Sequence, residues 1–322
     1  VELRPGGGPV SGTPWARGRI TGGTGGPRLL FGRMYEDHGI ELGVLPASGA
    51  RVLCIASAGD TAAALHRAGH DVTAVDLNPV QLAYARTRLG GGETVEGSAE
   101  RLMRWGRGAA GDLLPAWREP ALHAFLTLDD PAEQVRRWRA DLDTPGLRRL
   151  MRLALRPSGA LAVTVRPSFA AVVPPRFDAV LRRRLERTVT GHPNARNPWL
   201  WRLLAGAELP DSGPLLAPDV RLVEGDVVDV MERAPRGSFD GVTLSNVLDG
   251  PGPAFARRLR TAVRHAVRPG GVVVLRSFRE PGPAGAGWAA RDRSALWGVV
   301  RVVRLGADPA GTEDRRIEPC AT

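Results

Sequence analysis

Between Arg51 and Pro79 the chain reads RVLCIASAGDTAAALHRAGHDVTAVDLNP, and few folds accommodate that order of segments. Arg51–Ala56 is an apolar run with β-formers, long enough for a buried strand and too short for a helix. Ser57-Ala58-Gly59-Asp60 interrupts it with small residues, Thr61–Ala68 carries a helical pattern, and Gly69 closes that helix as a C-cap would. Val72–Val75 is a second strand that ends on Asp76. Strand, small-residue turn, helix and strand together make half of a doubly wound unit. In such a unit a ligand approaches the backbone at the turn and meets free N–H groups at the helix start.

Asp76 follows Ser57 by nineteen residues, the separation at which such folds set an acid against ribose hydroxyls. The turn is not G-x-G-x-x-G: it lacks the second glycine that brings backbone against a pyrophosphate. A nucleoside without phosphates makes no such demand, and S-adenosylmethionine is the expected cofactor, serving as a co-substrate. Ser57, Ala58 and Gly59 would lie near its amino acid end and Asp76 would hold its adenosine, with Leu77 and Asn78 as further cofactor-binding candidates. Asn78-Pro79 opens the next helix, from which Gln81 faces back to the same crevice. An ordinary βαβ turn with a surface Asp is the plainer alternative.

The βαβ rhythm stops at Ser98 and resumes at Val220. Residues 1–27 are rich in Gly and Pro and are expected to be a mobile tail, and 306–322 a second tail. Leu29–Leu45 is expected as a short amphipathic segment. Its Tyr35-Glu36-Asp37-His38 cluster is either a capping turn or a lid over the amino acid end of the cofactor. The stretch of about 98–217 reads as a mostly helical insertion, with only Ala160–Val165 strand-like. Its tryptophans 105, 117, 138, 199 and 201 are expected to pack helices together, with one or two free to line an acceptor pocket. Beyond it, VRLVEGDVVDV gives a strand ending at Gly225-Asp226, with Asp226 and Val227 edging the adenine. Phe239–Ser245, FDGVTLS, gives a strand opening onto Asn246-Val247-Leu248-Asp249, and Pro269-Gly270-Gly271 turns into Val272–Leu275, which ends on Arg276-Ser277; Ser245, Asn246 and Arg276 stand at these strand ends. Val299–Arg304 completes the sheet. Ligands of open α/β sheets sit at the carboxyl ends of the strands, where these residues converge. The expected class is therefore α/β, a Rossmann-like doubly wound sheet of the class I methyltransferase type spanning 28–305.

Composition narrows the chemistry. The chain contains no lysine, so its 44 basic residues are all arginine, which excludes a P-loop and a Schiff-base lysine. A net charge of +10 invites nucleic acid or an anionic membrane, but the arginines are spread over helices and aromatics make up only 5%. Nucleic acid is accordingly not the favoured partner; peripheral membrane contact stays open, as does the oligomeric state. No run approaches the ~20 apolar residues of a membrane span, and two cysteines, Cys54 and Cys320, build no disulfide framework, so a cytoplasmic location is expected. Gly69 separates His66 from His70, no zinc spacing is present, and no metal is expected.

Several segments in order resemble the family of S-adenosylmethionine:diacylglycerol 3-amino-3-carboxypropyltransferases of betaine-lipid synthesis. They are Phe31-Gly32 with Tyr35-Glu36-Asp37, VLCIASAG with AVDLNPVQLA, Asn197-Pro198-Trp199 with Leu203-Leu204-Ala205-Gly206, SFDGVTLSN, RPGGVVVLR, and Asp292-Arg293-Ser294 before Trp297-Gly298. The resemblance runs from about residue 30 to 304. It implies transfer of the cofactor's four-carbon amino acid arm to a small-molecule or lipid acceptor, with release of methylthioadenosine. Asp60, where a small or thiol residue is expected, and Asn246, where the family more often shows Asp, depart from the pattern.

Such a transfer asks the protein to fix the carboxylate and amine of the tail; Arg276, Arg293 and the Tyr35–Asp37 segment are the candidates, and an arginine–carboxylate fork fits the geometry. A hydroxyl acceptor also needs a base: Glu36, His38 and Asp249 are the choices, with Tyr35 as an orienter. The competing classes are a methyltransferase on the same fold and an arginine-rich RNA- or membrane-binding protein without turnover. A nicotinamide oxidoreductase is disfavoured by the turn.

Overall fold

The computed structural model describes residues 26–155, 173–210, 212–282, 285 and 287–306. The strand-like stretch 160–165, most of both expected tails and Cys320 lie outside them. Six strands form one sheet: β1 (Arg51–Ile55), β2 (Asp71–Asp76), β3 (Arg221–Glu224), β4 (Phe239–Thr243), β5 (Val267–Ser277) and β6 (Val299–Arg304). Their order is β3-β2-β1-β4-β5-β6, with every pairing parallel except β5 with β6. The chain winds outward from β1 to β3, then returns to place β4 on the other side of β1. That reversal is the switch point at which such sheets bind ligands. The fold is thus α/β, a doubly wound Rossmann-like sheet of the class I methyltransferase type.

Central parallel strands are covered on both faces and so read as continuous apolar runs. Leu53, Val242, Val273 and Leu259 lie in one core cluster, and Val52, Cys54, Ala74 and Leu65 in another. Pro269-Gly270-Gly271 is not a turn before β5, as the sequence suggested, but part of the strand. The β4 register jumps from Phe239↔Val267 to Gly241↔Val272, and the extra residues form a bulge there.

Helices α1 (Gly39–Val44), α2 (Asp60–Arg67) and α3 (Pro79–Leu89) surround the first strands. The insertion contributes α4 (Ser98–Leu113), α5 (Glu119–Leu126), α6 (Pro131–Arg137), α7 (Pro145–Ala154), α8 (Phe177–Gly191) and α9 (Pro198–Leu204). Helices α10 (Val227–Arg233) and α11 (Pro253–Ala266) complete the set. Proline at the first turn and an Asp, Asn or Thr cap start α3, α6, α7 and α9, because proline lacks the N–H that would go unpaired there. Trp138 and Trp201 are buried in the insertion's own core and Trp199 is also buried, whereas Trp105 is 61% exposed. None of the five insertion tryptophans lines the cleft described below; Trp297 does.

Candidate functional site

Only Gly39–Val44 of the expected amphipathic segment is helical; residues 28–38 form an irregular strap. Irregular backbone that is buried must find its hydrogen bonds elsewhere. Gln81 accepts from the amides of Leu30 and Phe31 and donates to the carbonyls of Phe31 and Ser57. Glu100, 1% exposed, accepts from Gly32, Arg33 and Gly97. Asp60 takes the amide of Met34, and Trp297 Nε1 donates to the carbonyl of Tyr35. A Cβ on Gly32 would lie 1.8 Å from the Val95 carbonyl, and one on Gly97 2.3 Å from that of Leu30, so both positions require glycine. The strap is thus a fixed wall, tied down by side chains from several elements.

Strap and strand tips enclose an open cleft of about 1120 Å³, its mouth included. From one end to the other the sheet presents Gly225, Asp226 and Val227 beyond β3, Asp76 ending β2, Ser57 beyond β1, and Ser245 and Asn246 beyond β4. At ~4.8 Å per parallel neighbour, this row is long enough for a nucleoside with an extended 5′ arm. Ser57 (φ 45°) and Ser245 (φ 52°) both hold left-handed backbone, one on each side of the switch point. Non-glycine residues in that region cost about 1–3 kcal/mol each and persist where surrounding structure imposes them.

Asp76 is partly buried, accepts from the amides of Ser57 (3.0 Å) and Asn78 (2.9 Å), and has no cation beside it among its hydrogen-bond partners. Burial pushes its carboxyl up to about 6, with those amides offsetting only part of the rise. Asp226 caps α10 by accepting from Val228 (2.7 Å), and burial raises it as well. Asn78 and Gln81 line the cleft, but their polar groups are engaged in capping α3 and holding the strap. Leu77 lines it too; Ala58 and Gly59 do not, since the Ala58 carbonyl is turned to Arg88 and Gly59 starts α2 against Leu89.

The two arginines expected to fork a ligand carboxylate are placed otherwise. Arg276 is 2% exposed, outside the cleft lining, and grips Glu41 with Nη1 at 2.5 Å and Nη2 at 3.0 Å. It also donates to the Asp37 carbonyl (2.9 Å) and to Asp292 (3.4 Å). Arg293 pairs with both carboxylate oxygens of Asp37, at 2.7 and 2.8 Å, and stacks on Trp199 at 4.5 Å. Burial alone would raise Asp37, but Arg293 holds it below the usual carboxylate range. Both guanidiniums are committed to acids of the protein itself, Arg276 fully buried and Arg293 partly exposed.

The four catalytic candidates also separate. Tyr35 and Glu36 line the cleft. His38 is packed edge-on to Trp199 and lowered by burial, while Asp249 accepts from Ser277 (2.7 Å) and the Phe278 amide (2.9 Å); neither lines the cleft. Glu36, 6% exposed, accepts from the Ser245 hydroxyl, and its other oxygen lies 3.5 Å from Arg276. Its carboxyl is raised by burial, which Arg276 and Ser245 only partly counter.

Among the described residues Arg33 is the cation that lines the cleft. Sequence reasoning passed over it, although it stands two residues before Tyr35. Its Nε is paired with Glu208 at 2.7 Å. Glu208 also binds Arg202, which together with Arg88 neutralises the buried Asp60 at 2.9 and 2.6 Å. Asp60 therefore ties the turn after β1 to the strap and to α9. Burial would raise it, but Arg202 and Arg88 hold it well below the usual range.

The class defined by strand order and cleft is a methyltransferase-type α/β fold with a cleft at the switch point. The chain matches no protein-family model and no curated protein. Among solved structures it is similar to the rRNA methyltransferase aviRa from Streptomyces viridochromogenes, in two structures at 1.5 Å and 2.4 Å. Each gives a TM-score of 0.28 and 17% identity over 76% of this chain and 72% of that chain. A likeness at that score carries no functional argument, and the fold rests on the strand order and register above.

Proposed function

We propose that the protein is an S-adenosylmethionine-dependent transferase that moves the 3-amino-3-carboxypropyl arm to a nucleophilic acceptor and releases methylthioadenosine. The observation that carries the first part is the charge of the cleft. Among the described residues Asp76 and Asp226 line it, with Glu36 as a third carboxyl able to ionise, against Arg33, itself paired with Glu208. Such a wall repels a pyrophosphate and suits a phosphate-free, cationic nucleoside. Asp76 has the acceptor oxygens for ribose hydroxyls, and Ile55, Val75 and Val227 give an apolar slot for a base next to Asp226. The residues present thus fit the cofactor.

Bound S-adenosylmethionine supplies a sulfonium whose three attached carbons are electrophilic. The protein's task is then selection and dryness. Arg33 takes the tail carboxylate, in place of the internally engaged Arg276 and Arg293. Glu36 is the base that the geometry favours, because it lines the cleft where His38 and Asp249 do not. Val247, Phe255, Phe278, Leu296 and Trp297 form an apolar wall against which a small-molecule or lipid acceptor enters. Support for moving the arm rather than the methyl comes from the ordered segments shared with the aminocarboxypropyltransferase family. Incubation with S-adenosylmethionine and fractionated lipid or small-molecule acceptors should yield methylthioadenosine by mass spectrometry. S-adenosylhomocysteine as the product would replace arm transfer by methyl transfer. Salt-steep RNA binding without turnover of the cofactor would overturn the enzyme reading altogether.

A further inference from the structure

The buried charges beside the cleft do not balance. Glu36, Glu41 and Asp292 are 6%, 1% and 2% exposed and share Arg276 as their cation, since Arg293 is taken by Asp37. Arg276 is the one guanidinium at ion-pair distance from the three, and Arg187 acts on Asp292 from further off, so three ionised carboxylates would still leave at least one uncompensated negative charge inside the protein, a large electrostatic cost. Glu41 takes the two-pronged fork and also accepts from Thr243 at 2.7 Å. Asp292 accepts from the Ser294 amide at 2.8 Å and from the Ser294 hydroxyl, away from the cleft. Glu36 keeps the poorest pairing of the three, 3.5 Å to Arg276, and is the one that lines the cleft. The groups facing it are Arg276 from β5, Ser245 from the tip of β4, Glu41 from α1, Asp292, and the Cys54 thiol of β1; none is a spare cation. Arg187 faces Asp292 and is not among the groups facing Glu36, so at Glu36 the side open to a further positive charge is the cleft.

Strand order says where that charge would lie. A nucleoside with its ribose on Asp76 and its base toward Gly225–Val227 directs its 5′ substituent to the tips of β1 and β4, beside Glu36 and Ser245. Resting on the function proposed above, we propose that a sulfonium nucleoside entering the cleft drives the proton off the Glu36 carboxyl, whereas the neutral thioether product does not. The O–H bond of Glu36 breaks, the electron pair stays on the carboxylate, and the proton passes to solvent. The direction of the burial effect on Glu36 agrees with a proton held in the free protein. Glu36 then reads the charge of the ligand: it favours retention of the cationic donor and release of the spent thioether, and it becomes a carboxylate only when the donor is present.

The test is proton counting by calorimetry on the full chain at about pH 6, where the α-amino group of the donor stays protonated. S-adenosylmethionine and methylthioadenosine are each titrated in two buffers of very different ionisation enthalpy. Asp76 meets the ribose of both ligands, so its contribution cancels in the difference. The expected result is about one more proton released with S-adenosylmethionine than with methylthioadenosine, and loss of that difference in Glu36→Gln. Equal release with both ligands, or a difference that survives Glu36→Gln, overturns the proposal and leaves the cofactor assignment standing. Absence of binding by both ligands overturns the cofactor assignment and this proposal with it. If Glu36→Gln does not fold, the wild-type affinity ratio decides. S-adenosylmethionine must gain on methylthioadenosine by up to about tenfold per pH unit as pH rises through the Glu36 titration, and a flat ratio rejects the idea.

Discussion

Two buried charge clusters flank the strap, and they are built with opposite surpluses. The one around Asp60 sets two carboxylates, Asp60 and Glu208, among three guanidiniums, Arg33, Arg88 and Arg202. The one around Arg276 sets three carboxylates against a single guanidinium. The first holds its acid ionised, and Asp60 is pulled down; the second cannot, and Glu36 and Asp292 are pushed up. Linkage then gives opposite signs. Asp60 contributes stability above the unfolded carboxylate range that is lost as pH falls through its lowered value. Glu36 and Asp292 contribute stability at acid pH that is lost as pH rises through their raised values. The cation-rich cluster is a fastening, and the anion-rich one is left incomplete beside the cleft. Fastenings are neutralised internally, whereas a binding site leaves something for its ligand to finish.

Substitution of Asp60 should break the comparison most severely. Asp60→Asn leaves Arg88 buried with its counter-charge gone and Arg202 with Glu208 alone, and arginine has no accessible neutral form. Unfolding in denaturant should show a loss of about 3–5 kcal/mol, much the same between about pH 5 and 8. A loss under about 1 kcal/mol would mean that the cluster is ornamental. The mirror experiment is Arg276→Met, which strands Glu41, Glu36 and Asp292. At neutral pH the cost should also reach about 3–5 kcal/mol. Carboxyls, unlike guanidiniums, can take up protons, so the cost should shrink steadily towards about pH 5. Stability curves at several pH values separate the two clusters, and parallel behaviour of both variants would refute the asymmetry.

The same contrast marks what the sequence could disclose. The apolar runs of β1, β2 and β4 and the proline-capped helix starts are local patterns, so sheet, insertion and the acid ending β2 were legible. The strap was not. Its shape is dictated by Gln81 and Glu100, some fifty to seventy residues away, and leaves no periodicity in residues 28–38. Nor can a strand-end arginine announce whether its partner is a ligand or a buried acid. Arg276 and Arg293 looked like substrate forks because Glu41 and Asp37 sit far off in sequence, on the strap side. Arg33 went unnoticed because nothing local distinguishes it from the chain's many other arginines. Patterns set by one element are readable, and pairings between elements are not.

Asp76 sharpens the comparison from a third direction, being an acid that has backbone amides and no cation for partners. With its carboxyl pushed up to about 6, it is protonated over part of the range in which Asp60 is not. Ribose hydroxyls donate to the carboxylate form, so protonation removes an acceptor and binding should release the proton. Affinity for methylthioadenosine, which has the ribose but no sulfonium, should therefore be level well above about pH 6. Below it, affinity should fall by up to about tenfold per pH unit. Asp76→Asn should weaken binding by about 1.5–3 kcal/mol, the worth of hydrogen bonds to a charged group, and should flatten the acid limb. Its fold should be retained, because an Asn oxygen can still accept from Ser57 or Asn78. Calorimetric titration of methylthioadenosine against both proteins across that range reads both effects. An acid limb that persists in Asp76→Asn would place the proton on Asp226, the other carboxyl at the nucleoside end of the cleft, and would move the ribose away from β2.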